Sequence, residues 1–208
     1  IKDKTPKYGL AVTGLIDTSS IIRNNTPKES DVILLTKPLG SGILTTAIKQ
    51  ELASKITVQN VIELMSTLNH DLSENNININ ACTDITGYGL LGHLSEMTQN
   101  SSLSANINFN KVPFIDEVIK FAKDGIIPGG SKKNLDFYSK NVLFDSSIEI
   151  HKQLMIADAQ TSGGLLMSVS KSDANNLIKI LNKNSKYETV KIGYFSDKKE
   201  RNIIINNE

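Results

Sequence analysis

The sequence predicts an α/β (α+β) protein with a mixed β-sheet and flanking helices, and three observations carry that prediction. Apolar runs of strand length alternate with stretches of helical periodicity along the chain. One run, Asp31-Val32-Ile33-Leu34-Leu35-Thr36-Lys37, is continuously apolar in its middle, as in a strand covered on both faces. Glycine-punctuated turns then lead from strand to helix twice, at Pro38-Leu39-Gly40-Ser41-Gly42 and at Thr86-Gly87-Tyr88-Gly89.

Taken in order, Lys7 to Ile16 reads as a first strand, and the polar stretch Asp17 to Ser30 contains Thr26-Pro27, which disfavours helix before the proline. A domain boundary is placed there, giving segments 1–28 and 29–208. Ile1 is not Met and the first strand lacks earlier partners, so the sequence is expected to be part of a longer one. After the strand at 31–37, helical periodicity covers Ile43 to Lys55 and again Thr57 to Asn75, where Val61, Leu64, Met65, Leu68 and Leu72 recur at three- and four-residue spacing. Met65 is expected in the core. Ile77 to Asp84 is a strand and Tyr88 to Gln99 a helix; Leu103 to Phe109 alternates as a strand, and Pro113 to Lys123 is a short helix. Gly125 to Asn134 reads as a glycine-rich loop with two cations. Ile148 to Ala157 is a helix, Leu165 to Val169 a strand, and Lys171 to Lys183 the last helix, with Ser170 or Ser172 as its cap. Thr189–Phe195 and Asn202–Ile205 read as a terminal hairpin around Asp197-Lys198-Lys199.

Composition narrows the partners. With 39% apolar residues in 208, the chain can bury a substantial core, and a formal charge of +1 provides no field for nucleic acid or an anionic membrane. No apolar run approaches the roughly 18 residues that span a bilayer, so a cytoplasmic protein is expected. A single cysteine excludes an internal disulfide framework, and Cys82, with no neighbouring Cys or His, reads as a buried strand residue. His70, His93 and His151 have no paired spacing, which argues against a zinc site. His70 reads as a structural partner of helix-terminal carbonyls, and His93 as packed or solvent-facing.

The chemistry concentrates at Ala81-Cys82-Thr83-Asp84-Ile85-Thr86-Gly87, where a strand ends in an acid and restarts as glycine-punctuated helix. An Asp at a strand's end, followed by glycines that free N–H groups, can hold a cation and an anion side by side, as a metal-bound phosphate requires. The competing structural role is that Asp84 only N-caps the next helix, with Thr83 and Thr86 as alternative caps. Gly40 and Gly42 similarly either present N–H groups to an anion or only make a tight turn.

Four segments together go further: Thr36-Lys37-Pro38-Leu39-Gly40-Ser41-Gly42-Ile43, Ala81 through His93, Pro128-Gly129-Gly130-Ser131-Lys132-Lys133-Asn134, and Gln160-Thr161-Ser162-Gly163-Gly164-Leu165-Leu166. In order and spacing they resemble selenophosphate synthetase, also called selenide, water dikinase, over essentially the whole chain. Departures are Ser131 where Thr is usual, Lys133 where Arg is common, and Ala159 where proline usually stands. The resemblance implies the aminoimidazole ribonucleotide synthetase-like fold, with 1–28 as the last strand and linker of an N-terminal ATP-binding domain and 29–208 as the C-terminal domain. It implies a reaction of ATP, selenide and water giving selenophosphate, AMP and phosphate, with Mg2+ on the polyphosphate and a homodimer formed by the N-terminal domains. Asp84 matches the family's C-terminal metal aspartate, and Thr83, Gly87, Thr161, Ser162 and Gly163 fall in the ATP-phosphate neighbourhood. The resemblance puts the reactive cysteine or selenocysteine and the other metal aspartates upstream of Ile1, so no catalytic residue is expected here and the chain alone is expected to be inactive. Another superfamily member, such as a thiamine-phosphate kinase or hydrogenase-maturation protein, and a non-catalytic anion-binding module are the alternatives.

Overall fold

The computed structural model describes residues 5–72, 78–99 and 101–207. Its centre is a seven-stranded sheet: β1 (Val32–Leu35), β2 (Ile79–Asp84), β3 (Leu103–Asn108), β4 (Val142–Phe144), β5 (Leu165–Val169), β6 (Val190–Asp197) and β7 (Ile203–Asn206), in the order β2-β5-β1-β6-β3-β7-β4. The sheet is mixed, because β3 with β7 and β4 with β7 are parallel while the other neighbours are antiparallel.

β1 shows why its run is continuously apolar. Ile33 and Leu35 enter the main core, and Val32 and Leu34 enter a second cluster on the opposite face, so all four side chains are buried. The main core is roofed by α1 (Ser41–Lys49), α2 (Lys55–Ser66), α3 (Gly89–Thr98), α4 (Val118–Lys123), α5 (Gly129–Tyr138) and α6 (Ile150–Ile156), and the second by α7 (Ala174–Asn182). From α7, Ala174, Leu177 and Leu181 pack on Val32, Leu34, Met167 and Val169. Met65 packs at the margin of the main core, as its periodicity predicts.

Several expectations need correction. The terminal pair is no hairpin: β3 lies between β6 and β7, and the connection wraps the start of β3, where Ser104 Oγ donates to the Arg201 carbonyl and accepts from the Lys199 N–H. Residues 129–138 form helix α5 rather than a loop, because buried hydrogen bonds from Ser131 and Asn134 outweigh the poor helix propensity of Gly129 and Gly130. α2 starts on a Ser54 cap and ends at Ser66, short of Asn75, since the Lys37 ammonium binds the Thr67 carbonyl there; residues 73–77 lie outside the described residues. α4 begins at Val118, five residues after Pro113, because Leu39 and Phe114 make a bridge first. At α7 neither expected serine is the N-cap; Asp173 is, and Ser170 Oγ accepts the Asp173 N–H one turn earlier. The strand at Lys7–Ile16 does not form: these residues belong to none of the sheet's strands, and Tyr8, Leu10, Val12 and Leu15 are at least 80% exposed. A stretch of strand-like sequence makes no strand without a partner edge. Further along, the linker does dock, with Arg23 accepting the Cys82 N–H and Thr26 Oγ1 donating to the Asn80 carbonyl, which covers the outer edge of β2.

Candidate functional site

The antiparallel register brings the ends of β1 and β2 beside the start of β5, pairing Leu35 with Leu166 and Asp84 with Leu165. The four motif segments meet at this end of the sheet in two layers.

The inner layer is a buried polar knot around Asp158 and Gln160. Gln160 Oε1 accepts the Gly40 N–H (3.0 Å), the Ser41 N–H (3.2 Å) and the Ser41 hydroxyl (3.1 Å). Asp158 Oδ2 accepts the N–H groups of Gly42 (3.0 Å) and Ile43 (3.1 Å) and the Gln160 amide (3.0 Å), while Oδ1 accepts the Ser131 hydroxyl (2.7 Å). The free N–H groups at the start of α1 are therefore answered by an internal carboxylate and amide, not by an external anion. Burial pushes the Asp158 carboxyl up to about 6, although its four donors pull the other way. Ser41 Oγ accepts the Thr161 N–H, Ser131 Oγ accepts the Ala159 N–H, and the Asn134 amide donates to the carbonyls of Gly87 and Ala157. Gly42 is required because a Cβ there would run into the Ala159 carbonyl.

The outer layer is the pair of turns above the knot, and it holds every residue assigned from the sequence. Ile85 donates to the Gly164 carbonyl, Gln160 donates to the Thr86 carbonyl, and a Cβ on Gly163 would collide with the Ile85 carbonyl. This close packing brings Thr83, Asp84 and Gly87 beside Thr161, Ser162 and Gly163. Asp84, Gly87, Thr161 and Ser162 are exposed, Thr83 is half-buried and Gly163 is buried. The Asp84 carboxylate takes no part in the hydrogen bonds or ion pairs among the described residues, and α3 is capped at Tyr88 without a side-chain bond, so Asp84 is not an N-cap. The turn after it is fixed by buried His93, whose Nε2 accepts the Thr86 N–H (3.0 Å) while Nδ1 faces Glu96 (3.2 Å), an arrangement that puts the proton on Nδ1. Cys82 is no nucleophile, since burial and then the Asp84 charge push its thiol up to about 11.

Among the described residues no three His, Cys, Asp or Glu side chains group closely enough to hold a metal. Asp84 is thus a single available carboxylate oxygen donor. A cleft of about 430 Å³ lined by Asn106, Lys111, Lys191 and Tyr194 lies on the far half of the sheet and shares no residue with the turns.

Two residues that sequence reasoning gave no role support the outer layer from below. Buried Lys37 donates to the carbonyls of Thr67 (2.6 Å) and Ser162 (3.1 Å), and Asn69 donates to the Gly163 carbonyl (3.0 Å). Burial lowers the Lys37 pKa, and Lys37 makes no ion pair with a carboxylate among the described residues. The two contacts to the turn span 94 and 125 residues, so no local pattern announces them.

Residues 28–206 match the family described as AIR synthase related protein, C-terminal domain. A relative from Aliarcobacter butzleri named selenide, water dikinase is 42% identical over 201 residues, covering 96% of this chain and 58% of the relative. The protein of that name from Myxococcus xanthus is 44% identical over 185 residues, covering 87% and 53%. The chain therefore spans little more than half the length of these curated relatives. Among solved structures, the E. coli hydrogenase maturation protein HypE aligns with TM-score 0.63 at 14% identity, over 91% of this chain and 51% of that one. Thiamine-monophosphate kinase from Stenotrophomonas maltophilia aligns with TM-score 0.59 at 13% identity, over 90% and 53%. At such identities these two establish the fold alone. No helix among the described residues is long and apolar enough to cross a membrane.

Proposed function

Because the chain belongs to the family of AIR synthase related C-terminal domains, we propose that it is the C-terminal part of a selenide, water dikinase. The intact enzyme would convert selenide, ATP and water into selenophosphate, AMP and phosphate. The observation that carries this reading is 42% identity across 96% of the chain to a relative of that name. Residues 1–28 then belong to a preceding ATP-binding domain and 29–208 to the C-terminal domain. In support, the family match starts at residue 28 and Tyr8, Leu10, Val12 and Leu15 stand exposed outside the core. The homodimer, the reacting cysteine or selenocysteine and the remaining metal ligands are assigned to that preceding domain, which makes this chain inactive alone. The intact enzyme is read as cytoplasmic.

At the site, Asp84 would hold Mg2+, and Thr83, Gly87, Thr161, Ser162 and Gly163 would face the ATP phosphates. The fit rests on an exposed carboxylate with no internal partner among the described residues, which suits an ion that takes one or two carboxylates and fills its shell with phosphate oxygens and water. When bound, magnesium neutralises polyphosphate charge. The residues of this chain keep Asp84 in place: His93 holds the Thr86 N–H, and the packed Gly163–Ile85 contact fixes the spacing of the two turns.

The test is Asp84→Asn in the intact enzyme, measured as selenide-dependent AMP formation against magnesium concentration. Loss of turnover with an unchanged melting temperature is expected. Normal turnover with unaltered magnesium dependence would remove the metal assignment.

A further inference from the structure

The turn Thr161-Ser162-Gly163-Gly164 carries a left-handed serine, Ser162 at φ +53°, a conformation a serine keeps only where its surroundings impose it. Here two side chains impose it from beneath. Lys37 draws the Ser162 carbonyl inward at 3.1 Å and Asn69 draws the Gly163 carbonyl inward at 3.0 Å. Lys37 is itself anchored by the Thr67 carbonyl at the end of α2, and only 3% of it is exposed. In a planar trans peptide the N–H points opposite to its carbonyl, so the same two bonds turn the N–H groups of Gly163 and Gly164 away from Lys37 and Asn69. Neither N–H has an acceptor among the described residues. Successive free N–H groups around a left-handed residue form an anion-binding concavity.

We propose that Lys37 and Asn69 are positioning residues that hold the Thr161–Gly164 turn as an N–H cradle for the phosphate end of the nucleotide. This rests on the nucleotide reading given above. Neither side chain need touch ATP; each acts through a carbonyl of the turn.

The experiment measures the affinities of the intact enzyme for ATP with magnesium and for adenosine, in Lys37→Met, Asn69→Ala, the double variant and Asp84→Asn. Each single variant is expected to weaken ATP about tenfold and leave adenosine unchanged, and the double variant to weaken ATP little more than either, because both act on one turn. Equal weakening of ATP and adenosine, or additive losses, would overturn the positioning role. If Lys37→Met does not fold, Asn69→Ala decides alone, because it removes a single bond at a half-buried side chain. The two failures are separable: if Asp84→Asn also leaves ATP affinity untouched, the nucleotide reading falls and this proposal with it. A normal Asp84 effect beside unaffected Lys37 and Asn69 variants removes only the proposal.

Discussion

Asp158 and Asp84 are both acids of the motif-bearing end of the sheet, and they are held in opposite ways. Asp158 is 1% exposed and accepts four hydrogen bonds, from Gly42, Ile43, Ser131 and Gln160. Asp84 is exposed at the end of β2, with no partner for its carboxylate among the described residues. Much of the glycine and hydroxyl chemistry that resembles a ligand site from sequence is therefore consumed internally, by the knot that ties α1, α5 and β5 together. What remains available is the turn pair above it. A motif residue's role is decided by whether the fold has already given it a partner.

The largest expected effect breaks the buried side of this contrast. Asp158→Ala removes the acceptor for four donors at once and should cost about 4 kcal/mol or more of stability, since each buried donor left unpaired costs roughly 1–3 kcal/mol. The urea unfolding midpoint of the chain measures it. A loss below about 1 kcal/mol would mean that water replaces the carboxylate and that the knot is not a stabilising element.

Titration of the same group sharpens the contrast. Burial raises the folded-state pKa of Asp158 from 3.8 to about 6, so its favourable contribution is complete below the unfolded value and is lost as pH rises through about 6. The shift corresponds to about 3 kcal/mol between pH 4 and 7. Asp158→Asn cannot ionise, so the difference in unfolding free energy between wild type and variant should move in the variant's favour over that window and level off above it. A constant difference would show that the four donors offset the burial cost.

How much of this was legible in the sequence follows from the range of the forces involved. β1 and the Asp84 strand end were legible because their signals are local: a continuous apolar run, and an acid followed by glycines. Helix α5 was not, because Gly129-Gly130 argues against helix and the bonds that override it come from Asp158 and Ala157, more than twenty residues away. The β6–β7 pair misled because the insertion of β3 between them is a non-local choice that hairpin spacing cannot encode. In the site, Thr83, Asp84 and Gly87 come beside Thr161, Ser162 and Gly163 through the pairing of β2 with β5, while Lys37, Asn69 and Asp158 act through contacts that appear only after folding.

A smaller effect is expected where the two turns of the outer layer touch. Gly163→Ala places a methyl group against the Ile85 carbonyl, so the Asp84 turn and the Thr161–Gly164 turn must separate by a few tenths of an ångström or more. Overpacking of this kind costs about 1–3 kcal/mol, readable as a shift in melting temperature. Unchanged stability would show that the turns move apart freely and that the spacing around Asp84 is not fixed by this contact.

The smallest effect belongs to Asp84 itself. Its side chain is exposed, caps no helix and makes no hydrogen bond or ion pair among the described residues, so Asp84→Asn removes a charge and nothing that the fold uses. The stability change should stay within about 0.5 kcal/mol, the usual range for a surface position. The same substitution in Asp158 touches the whole knot, and the pair of variants therefore measures the contrast directly: one acid is maintained by the fold, the other at no benefit to it. If Asp84→Asn proved clearly destabilising, Asp84 would have an internal partner, and its carboxylate would be a structural group like Asp158 rather than one left free for a cation.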